Sequence, residues 1–429
     1  MKTPIKKLLV ALRYLQTIFS RRDVLFSIAM LAALYGAWPA LEEAFTQPDF
    51  SRNWQQDCDL VLIHKGLVEH PRFRDTLQWW TGTWVGQVPF WRPLTSLLFW
   101  LEWKLFGWEF QDAWMLVHGL LHLATCAALF VFADTFTGSA TIAALSVAFF
   151  SLPGPLLPYG LRLWHSRAFW ALWSWKDQPD LLLGLLTIGS CALALRRRTV
   201  SALALATSAA MTKETGFVTL PLAGAFLQLA GRAIGPALGA FATVILLAIA
   251  KLKATGLGFI LGANIHWPAR LLLTIGGLPL AKLVGATSGY CVLGLTAAVA
   301  LVWARPLRWL AAFCGTAIAC AVQAVTLANT DESPPWIVAI VGLFDWNLIC
   351  TTLPVAVWVV VAAFGASKQA LLSALAYAAL AAPPALAPQA LSHAYYTAWC
   401  FSAIAIATAW WCTCQRLRLT SGCRSRLTT

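Results

Sequence analysis

Charged residues are scarce in this sequence, and their scarcity excludes most classes of soluble protein. Asp, Glu, Lys and Arg make up 11% of the 429 residues, whereas an ordinary soluble domain is about a quarter charged. Hydrophobic residues make up 59%, and the mean hydropathy is +0.69. Apolar runs near the roughly 20-residue length of a membrane span recur from Val24 to Trp411. We therefore predict one polytopic, all-α membrane domain and no separate soluble domain.

Acidic residues are the scarcer of the two charged classes. The chain has 18 Asp and Glu against 31 Lys and Arg, which gives a formal net charge of +13. In a soluble chain this excess would suggest a nucleic acid partner. In a membrane protein, the retention of Lys and Arg on the cytoplasmic side explains most of the excess. We therefore expect membrane lipids as partners and no nucleic acid.

The sequence also lacks the cysteine pattern of a disulfide-stabilised or zinc-binding protein. Its 11 cysteines are scattered through apolar segments, and only Cys58 falls in a segment predicted to lie outside. Cys412, Cys414 and Cys423 lie beside a basic tail, but they lack a fourth ligand. We therefore predict neither a disulfide framework nor a metal site.

The apolar segments and the basic clusters together predict a topology of about 12 transmembrane helices. A basic amphipathic segment, 1–23, would lie on the cytoplasmic face. The predicted spans are 24–41, 113–131, 139–157, 181–195, 200–212, 216–230, 233–250, 284–303, 309–328, 336–364, 370–380 and 395–411. This arrangement places both termini, residues 196–198 and Arg232 on the cytoplasmic side. The basic tail, 413–429, would follow a C-terminal transmembrane bundle, 233–412.

Two predicted outer segments, 42–111 and 158–180, hold 12 of the 23 tryptophans. Such segments are typical of interfacial helices, whose aromatic rings anchor at headgroups or stack on sugar rings. The outer side also keeps many cations against the insertion bias, and an anionic ligand at the outer leaflet would explain them. These cations are Arg52, Arg72, Arg74, Arg92, Arg162, Arg167, Lys176, Lys213, Lys251 and Lys253.

An acidic pair, Asp57 and Asp59, lies early in the first outer segment. Two carboxylates one residue apart can divide catalytic roles, with one acting as a general base and the other orienting a hydroxyl or a cation. A capped turn or a solvated loop is the structural alternative, and it is the more frequent explanation of an isolated pair.

Arg92 precedes Pro93, and this order favours a helix that begins directly after the arginine. A helix N-terminus and a guanidinium both attract phosphate, so Arg92 is a candidate phosphate ligand. The alternative is an interfacial arginine that contacts lipid headgroups.

The segment Thr212-Lys213-Glu214-Thr215-Gly216 separates two apolar segments that are each short for a full crossing. We predict a helix break at Lys213 that lines a polar cavity. A structural Lys213–Glu214 ion pair that holds the turn is the alternative.

His118 and His122 lie four residues apart, on one face of a predicted helix. This spacing can ligate a metal, but no carboxylate accompanies the two histidines on that face. We therefore favour a packed, hydrogen-bonded pair.

Taken in order, these motifs resemble the GT-C glycosyltransferases, the membrane superfamily of the protein O-mannosyltransferases and the lipid A aminoarabinose transferase. The matching elements are Asp57-Cys58-Asp59, Arg92-Pro93 with Leu105-Phe106-Gly107, His118 with His122, 173–182, and the break at Lys213. The resemblance covers about residues 24–232. Beyond it, Tyr396 lies in a segment only weakly similar to an Arg-Tyr element of the family.

The resemblance implies a catalytic membrane core, 24–232, that transfers a monosaccharide from a polyprenyl-phosphate donor at the extracytoplasmic face. It implies that Asp57 or Asp59 is the base and that Arg92 and Lys213 contact the donor phosphate. Glu214, Lys176, Asp180 and His122 would support the site. The acceptor would be a lipid, a glycan or a protein, and the location the inner membrane of a bacterium. No cofactor is required, although the acidic pair could hold a divalent cation.

Two other classes of function remain open at this point. A transporter or lipid-carrier flippase would use the helix break for passage, but it would also need a comparable half-site in the C-terminal half. No such repeat is present in the sequence. A non-catalytic assembly subunit would use the Trp-rich segments as interfaces.

Overall fold

The computed structural model describes residues 21–46, 58–86, 90–151, 177–232, 234–255 and 368–386, together with helical residues between positions 396 and 415. Across these residues the fold is all-helical, and they include no β-strand. Asp57, Lys176, the segments 1–20 and 416–429 and the predicted spans 284–303, 309–328 and 336–364 lie outside them.

The helices follow one another with short connections. In chain order they are α1 (Arg21–Thr46), α2 (Cys58–Glu69), α3 (Gln78–Thr81), α4 (Pro93–Phe106), α5 (Gln111–Thr137), α6 (Ala140–Ser151), α7 (Gln178–Leu195), α8 (Thr199–Thr212), α9 (Thr219–Leu229), α10 (Gly235–Thr255) and α11 (Lys368–Leu386). Two 3₁₀ turns, Phe73–Leu77 and Glu214–Val218, precede α3 and α9.

Three of the described helices are long and apolar enough to cross a membrane: Ala113–Thr137, Gln178–Leu195 and Gly235–Thr255. They contain or largely overlap the predicted spans 113–131, 181–195 and 233–250, so these three predictions are confirmed as helices of spanning length. They indicate a membrane protein. The predicted total of about 12 spans extends beyond the described part of the chain.

Helices α1, α5, α6 and α7 form the main core. Phe130, Phe132 and Phe150 are buried there. Ala29, Ala33 and Ala37 recur every four residues along α1 and are also buried in this core. Small residues at this spacing allow helix backbones to approach closely, which is the usual way helices pack where lipid supplies no hydrophobic driving force.

The predicted outer segment folds as a separate aromatic layer at one end of this core. Helices α2 and α4 bury Leu60, Ile63 and Phe99 against Trp84 and Trp114. Val85 N–H donates to the Ser96 hydroxyl at 2.9 Å, which fixes the chain before α4 to its first turn. The layer therefore holds the N-terminus of α4 in a defined place, and Arg92 with it.

A charged cluster at a helix break

Helix α8 ends at Thr212, and the chain passes through an extended Lys213 and a 3₁₀ turn before α9 begins. The break predicted at Lys213 is therefore confirmed. Gly216 is required in this turn, because a Cβ atom there would clash with the backbone carbonyl of Ala209. The Thr95 hydroxyl donates to the Thr212 carbonyl at 2.7 Å, so a side chain from α4 pairs one of the free carbonyls at the end of α8.

Arg92 is the N-cap residue of α4, and Pro93 follows it as the first residue of the helix, as the sequence predicts. Its Nε and Nη2 atoms donate to Glu214 Oε2 at 2.9 and 2.8 Å. Only 12% of the Arg92 side chain and 16% of the Glu214 side chain are exposed. The guanidinium also lies over the ring of Phe90, with its carbon 4.1 Å from the ring centroid. The Arg92 side chain is therefore directed into the protein.

Lys213 pairs with Asp180, which lies in the first turn of α7. Its Nζ atom contacts both carboxylate oxygens, at 2.6 and 2.7 Å, and the two side chains are 11% and 3% exposed. The alternative of a Lys213–Glu214 ion pair is therefore wrong. Because Lys213 has an extended backbone, consecutive side chains point to opposite sides, and each of the two charged residues finds its partner on a different element.

A third cation, Lys251, reaches the same place from the C-terminal part of α10. It is buried, with 9% of the residue exposed, and its Nζ atom lies 5.8 Å from the ring centroid of Phe217 in the 3₁₀ turn. Burial by itself would raise the pKa of Glu214. The positive charges of Arg92 and Lys251 and the hydrogen bonds from Arg92 outweigh burial and hold that pKa below its usual value.

Among the described residues that form this cluster, three are cations and two are carboxylates. Asp180 neutralises Lys213 through both of its oxygens, which leaves Arg92 and Lys251 facing the single carboxylate of Glu214. An excess positive charge in a largely buried place favours the binding of an anion. The second carboxylate oxygen of Glu214 and the Thr215 hydroxyl are buried, and neither has a hydrogen-bond partner among the described residues.

His118 and His122 are both fully buried, in agreement with the prediction of packed residues. Two contacts of His122 lie within the described part of the chain. Its Nδ1 atom lies 2.7 Å from the Tyr396 hydroxyl, and its Nε2 atom lies 3.5 Å from Cys126 Sγ. The hydroxyl of Thr125, on the next turn of α5, donates to the Leu181 carbonyl at 3.3 Å, so this group packs against α7 next to Asp180.

A buried acid, Glu102, joins α4 to the N-terminus of α7. Gln178 Nε2 donates to Glu102 Oε1 at 2.8 Å and to the Trp114 carbonyl at 3.2 Å. Burial raises the pKa of Glu102 from 4.5 to about 8, against a smaller lowering by the hydrogen bond from Gln178. Glu102 is therefore largely protonated at neutral pH.

Four of the predicted site residues thus come together: Arg92, Asp180, Lys213 and Glu214. His122 lies in the neighbouring core. Asp59 is the second residue of α2, but its side chain lies outside the described atoms, as do Asp57 and Lys176. No group of three or more His, Cys, Asp or Glu side chains suited to a metal ion occurs among the residues that the structure describes.

Three participants are not predicted from the sequence. Lys251 is one of ten predicted outer cations, Tyr396 lies in a weakly similar segment, and no motif contains Glu102. A signal existed for Glu102, which is an acid within the apolar run Leu101-Glu102-Trp103 of an interfacial helix. For Lys251 the signal was its position directly after a predicted span that ends on the outer side.

The chain matches no protein-family model, and neither curated proteins nor solved structures give a match. A function can therefore be inferred only from the residues of this chain and their geometry.

Proposed function

We propose that this protein is a membrane glycosyltransferase that moves a monosaccharide from a polyprenyl-phosphate donor to an acceptor at the extracytoplasmic face. The observation that carries the proposal is the charged cluster at the helix break, which holds three cations and two carboxylates among the described residues and lies beside an aromatic layer. A phosphate-linked lipid would bring the missing negative charge, and aromatic faces are suited to contact a sugar ring.

The prediction of topology supports the same proposal independently. The basic clusters of the sequence place Arg92, Asp180, Lys213 and Lys251 on the outer side, although these residues come from α4, α7, the break and α10. In the structure the four lie at one end of the helices. The donor site would then face outward in a bacterial inner membrane with both termini in the cytoplasm.

The chemistry requires a base and stabilisation of the departing phosphate. Asp57 or Asp59 takes the proton from the acceptor hydroxyl as that oxygen bonds to the anomeric carbon of the sugar. The bond from this carbon to the phosphate oxygen breaks, and its electron pair leaves with the polyprenyl phosphate. The added negative charge on the phosphate is stabilised by the Arg92 guanidinium. In-line attack inverts the configuration at the anomeric carbon, and neither a nucleotide-binding fold nor a metal is required.

The experiment that tests this function measures transfer in membranes supplied with a labelled polyprenyl-phosphate sugar. Asp57→Asn and Asp59→Asn are compared with Glu69→Gln, a carboxylate at the far end of α2 with 44% of its side chain exposed. We expect at least one of the Asp variants to lose transfer and Glu69→Gln to keep it. Undiminished transfer in both Asp variants would overturn the mechanism.

A transporter or lipid-carrier flippase is the second candidate, and the broken helix at Lys213 is the observation that favours it. The two functions differ in their product. Movement of labelled polyprenyl-phosphate sugar across liposomes by the purified protein, with no sugar transferred to any acceptor, would favour transport over transfer.

A further inference from the structure

We propose that Lys251 and Arg92 together hold the donor phosphate, and that Glu214 is a resident anion which the phosphate displaces. This inference rests on the proposed function and deepens it, because it names the two cations of the phosphate site. It also assigns Lys213 a different task. Lys213 fixes the helix break to α7 through Asp180.

The packing of α10 directs Lys251 to the break. Leu247, one turn before it, is buried in a cluster with Trp91, and Ala250 and Ala254 pack against the same cluster. Phe217, from the 3₁₀ turn, belongs to this cluster as well. Since Trp91 directly precedes Arg92, one apolar cluster holds the backbone next to both cations.

The two lysines of the site differ in what neutralises them. Lys213 Nζ contacts both oxygens of Asp180, whereas no carboxylate among the described residues lies within ion-pair distance of Lys251 Nζ. Lys251 is nevertheless buried. A buried lysine without a close counter-ion is unfavourable, and an anion that binds beside it removes this penalty.

Glu214 has the features of a displaceable counter-ion. It accepts both Arg92 hydrogen bonds on one oxygen, while its other oxygen has no partner in the described part of the chain. A phosphate offers three or more acceptor oxygens, so it can take both Arg92 hydrogen bonds, contact Lys251 and accept from the buried Thr215 hydroxyl, which also lacks a partner there. Phosphate therefore satisfies groups that the carboxylate leaves unsatisfied.

The proposal predicts that two substitutions in one cluster change the affinity for phosphate in opposite directions. If Glu214 only held Arg92 in place, Glu214→Gln would weaken phosphate binding through loss of structure. If Glu214 competes with the phosphate for Arg92, the same substitution strengthens binding, because a neutral amide no longer repels the incoming anion. Lys251→Gln weakens binding under the proposal, because it removes one of the two positive charges that attract the phosphate.

The test measures the dissociation constant of decaprenyl monophosphate for the purified full-length protein in neutral-lipid nanodiscs. We expect Glu214→Gln to bind about tenfold more tightly and Lys251→Gln about tenfold more weakly than the unchanged protein, as expected for a charge-assisted contact. Lys253→Gln is the matched control, since Lys253 is an exposed lysine two residues further along the same helix. Its affinity should be unchanged. Lys251→Arg keeps the charge and should restore most of the affinity.

Three results would overturn the proposal. The first is weaker binding of decaprenyl monophosphate by Glu214→Gln, and the second is equal affinity of Lys251→Gln and Lys253→Gln for this lipid. The third is an affinity of Lys251→Arg no higher than that of Lys251→Gln. Phosphatidylglycerol vesicles are the competing source of phosphate. If they displace decaprenyl monophosphate at equal phosphate concentration, the site binds membrane headgroups and the assignment to the donor is wrong.

The failure of this inference can be distinguished from the failure of the transferase. If Lys251→Gln binds normally while transfer still requires Asp57 or Asp59, the role of Lys251 is wrong and the transferase stands. If the unchanged protein binds decaprenyl monophosphate with the expected pattern of variants but transfers no sugar, the phosphate site stands and the transferase is wrong.

Discussion

The two ends of the helices carry ion pairs of similar length in very different surroundings. At the end predicted to be cytoplasmic, Arg22 lies 2.8 Å from Asp134, and the two side chains are 53% and 16% exposed. At the end predicted to be outer, Lys213 and Asp180 lie 2.6 Å apart and are 11% and 3% exposed. Each pair joins a cation to an aspartate, but only in the second pair is the cation also largely buried.

This difference separates charges that orient a protein from charges that form a site. An exposed pair keeps its hydration and contributes little, so its presence needs no functional explanation. A buried pair loses hydration and must be compensated by its partner, and an uncompensated neighbour such as Lys251 is more unfavourable still. The buried cluster at the helix break therefore requires a structural or functional explanation, and the substitutions below compare the two ends.

The largest effect is expected from breaking the Lys213–Asp180 pair. Lys213→Ala or Asp180→Ala leaves an uncompensated buried charge and should lower the free energy of unfolding by about 3–5 kcal/mol. Thermal unfolding in detergent measures this loss. Lys213→Met with Asp180→Leu removes both charges and should recover much of the stability. If the single variants are as stable as the unchanged protein, the Lys213–Asp180 pair is as well hydrated as the Arg22–Asp134 pair, and the contrast between the two ends is wrong.

The second effect is a pH dependence of stability that comes from Glu102, at the end predicted to be outer. Its pKa is raised from 4.5 to about 8 in the folded state, so the folded protein binds the proton more tightly than the unfolded chain does. The resulting stability is fully present below pH 4.5 and is lost as the pH rises to about 8, by at most about 1.4 kcal/mol per pH unit. Unfolding measured from pH 5 to pH 8 should show this slope, and Glu102→Gln should reduce it. Equal slopes in the two proteins would contradict the burial of the carboxyl group.

A smaller effect is expected in the core next to α7. Tyr396→Phe removes the hydroxyl that lies 2.7 Å from His122 Nδ1 and leaves that nitrogen without this partner. Loss of one hydrogen bond to a buried group should lower the free energy of unfolding by about 1–3 kcal/mol. Equilibrium unfolding in detergent measures it, with Tyr35→Phe as the control because Tyr35 is 70% exposed. If both variants lose the same stability, the contact is not a stabilising one.

The smallest effect is expected at the end predicted to be cytoplasmic. Arg22→Ala should change the free energy of unfolding by less than about 1 kcal/mol, because the Arg22 side chain is half-exposed and its charge is screened by salt. The same unfolding experiment at low and high salt measures the difference. A loss as large as that of Lys213→Ala would remove the distinction between the two ends.

The sequence predicted well those features that depend on local pattern. Pro93 after Arg92 placed the start of α4, and the charges at Lys213 and Glu214 placed the break between α8 and α9. Hydropathy placed the three helices of spanning length, because an apolar run of that length has few other folds available to it.

Partners distant in the sequence could not be predicted in the same way. Lys213 and Glu214 are adjacent, so a local ion pair was the natural alternative, yet each contacts a residue more than 30 positions away. The direction of a side chain depends on the backbone of the turn, and the extended conformation of Lys213 is set by tertiary packing. Tyr396 and His122, 274 positions apart, are a further case, because only the packed helices bring them together.

The most direct test of the central claim is whether the buried end, and not the exposed end, binds the anionic lipid. Native mass spectrometry of decaprenyl monophosphate bound to the full-length protein compares two double variants. The first, Arg92→Gln with Lys251→Gln, removes both cations proposed to hold the phosphate, and the second, Arg21→Gln with Arg22→Gln, removes two exposed cations at the other end. We predict that the first loses most of the bound lipid and that the second keeps it. Equal occupancy in the two variants would contradict the claim.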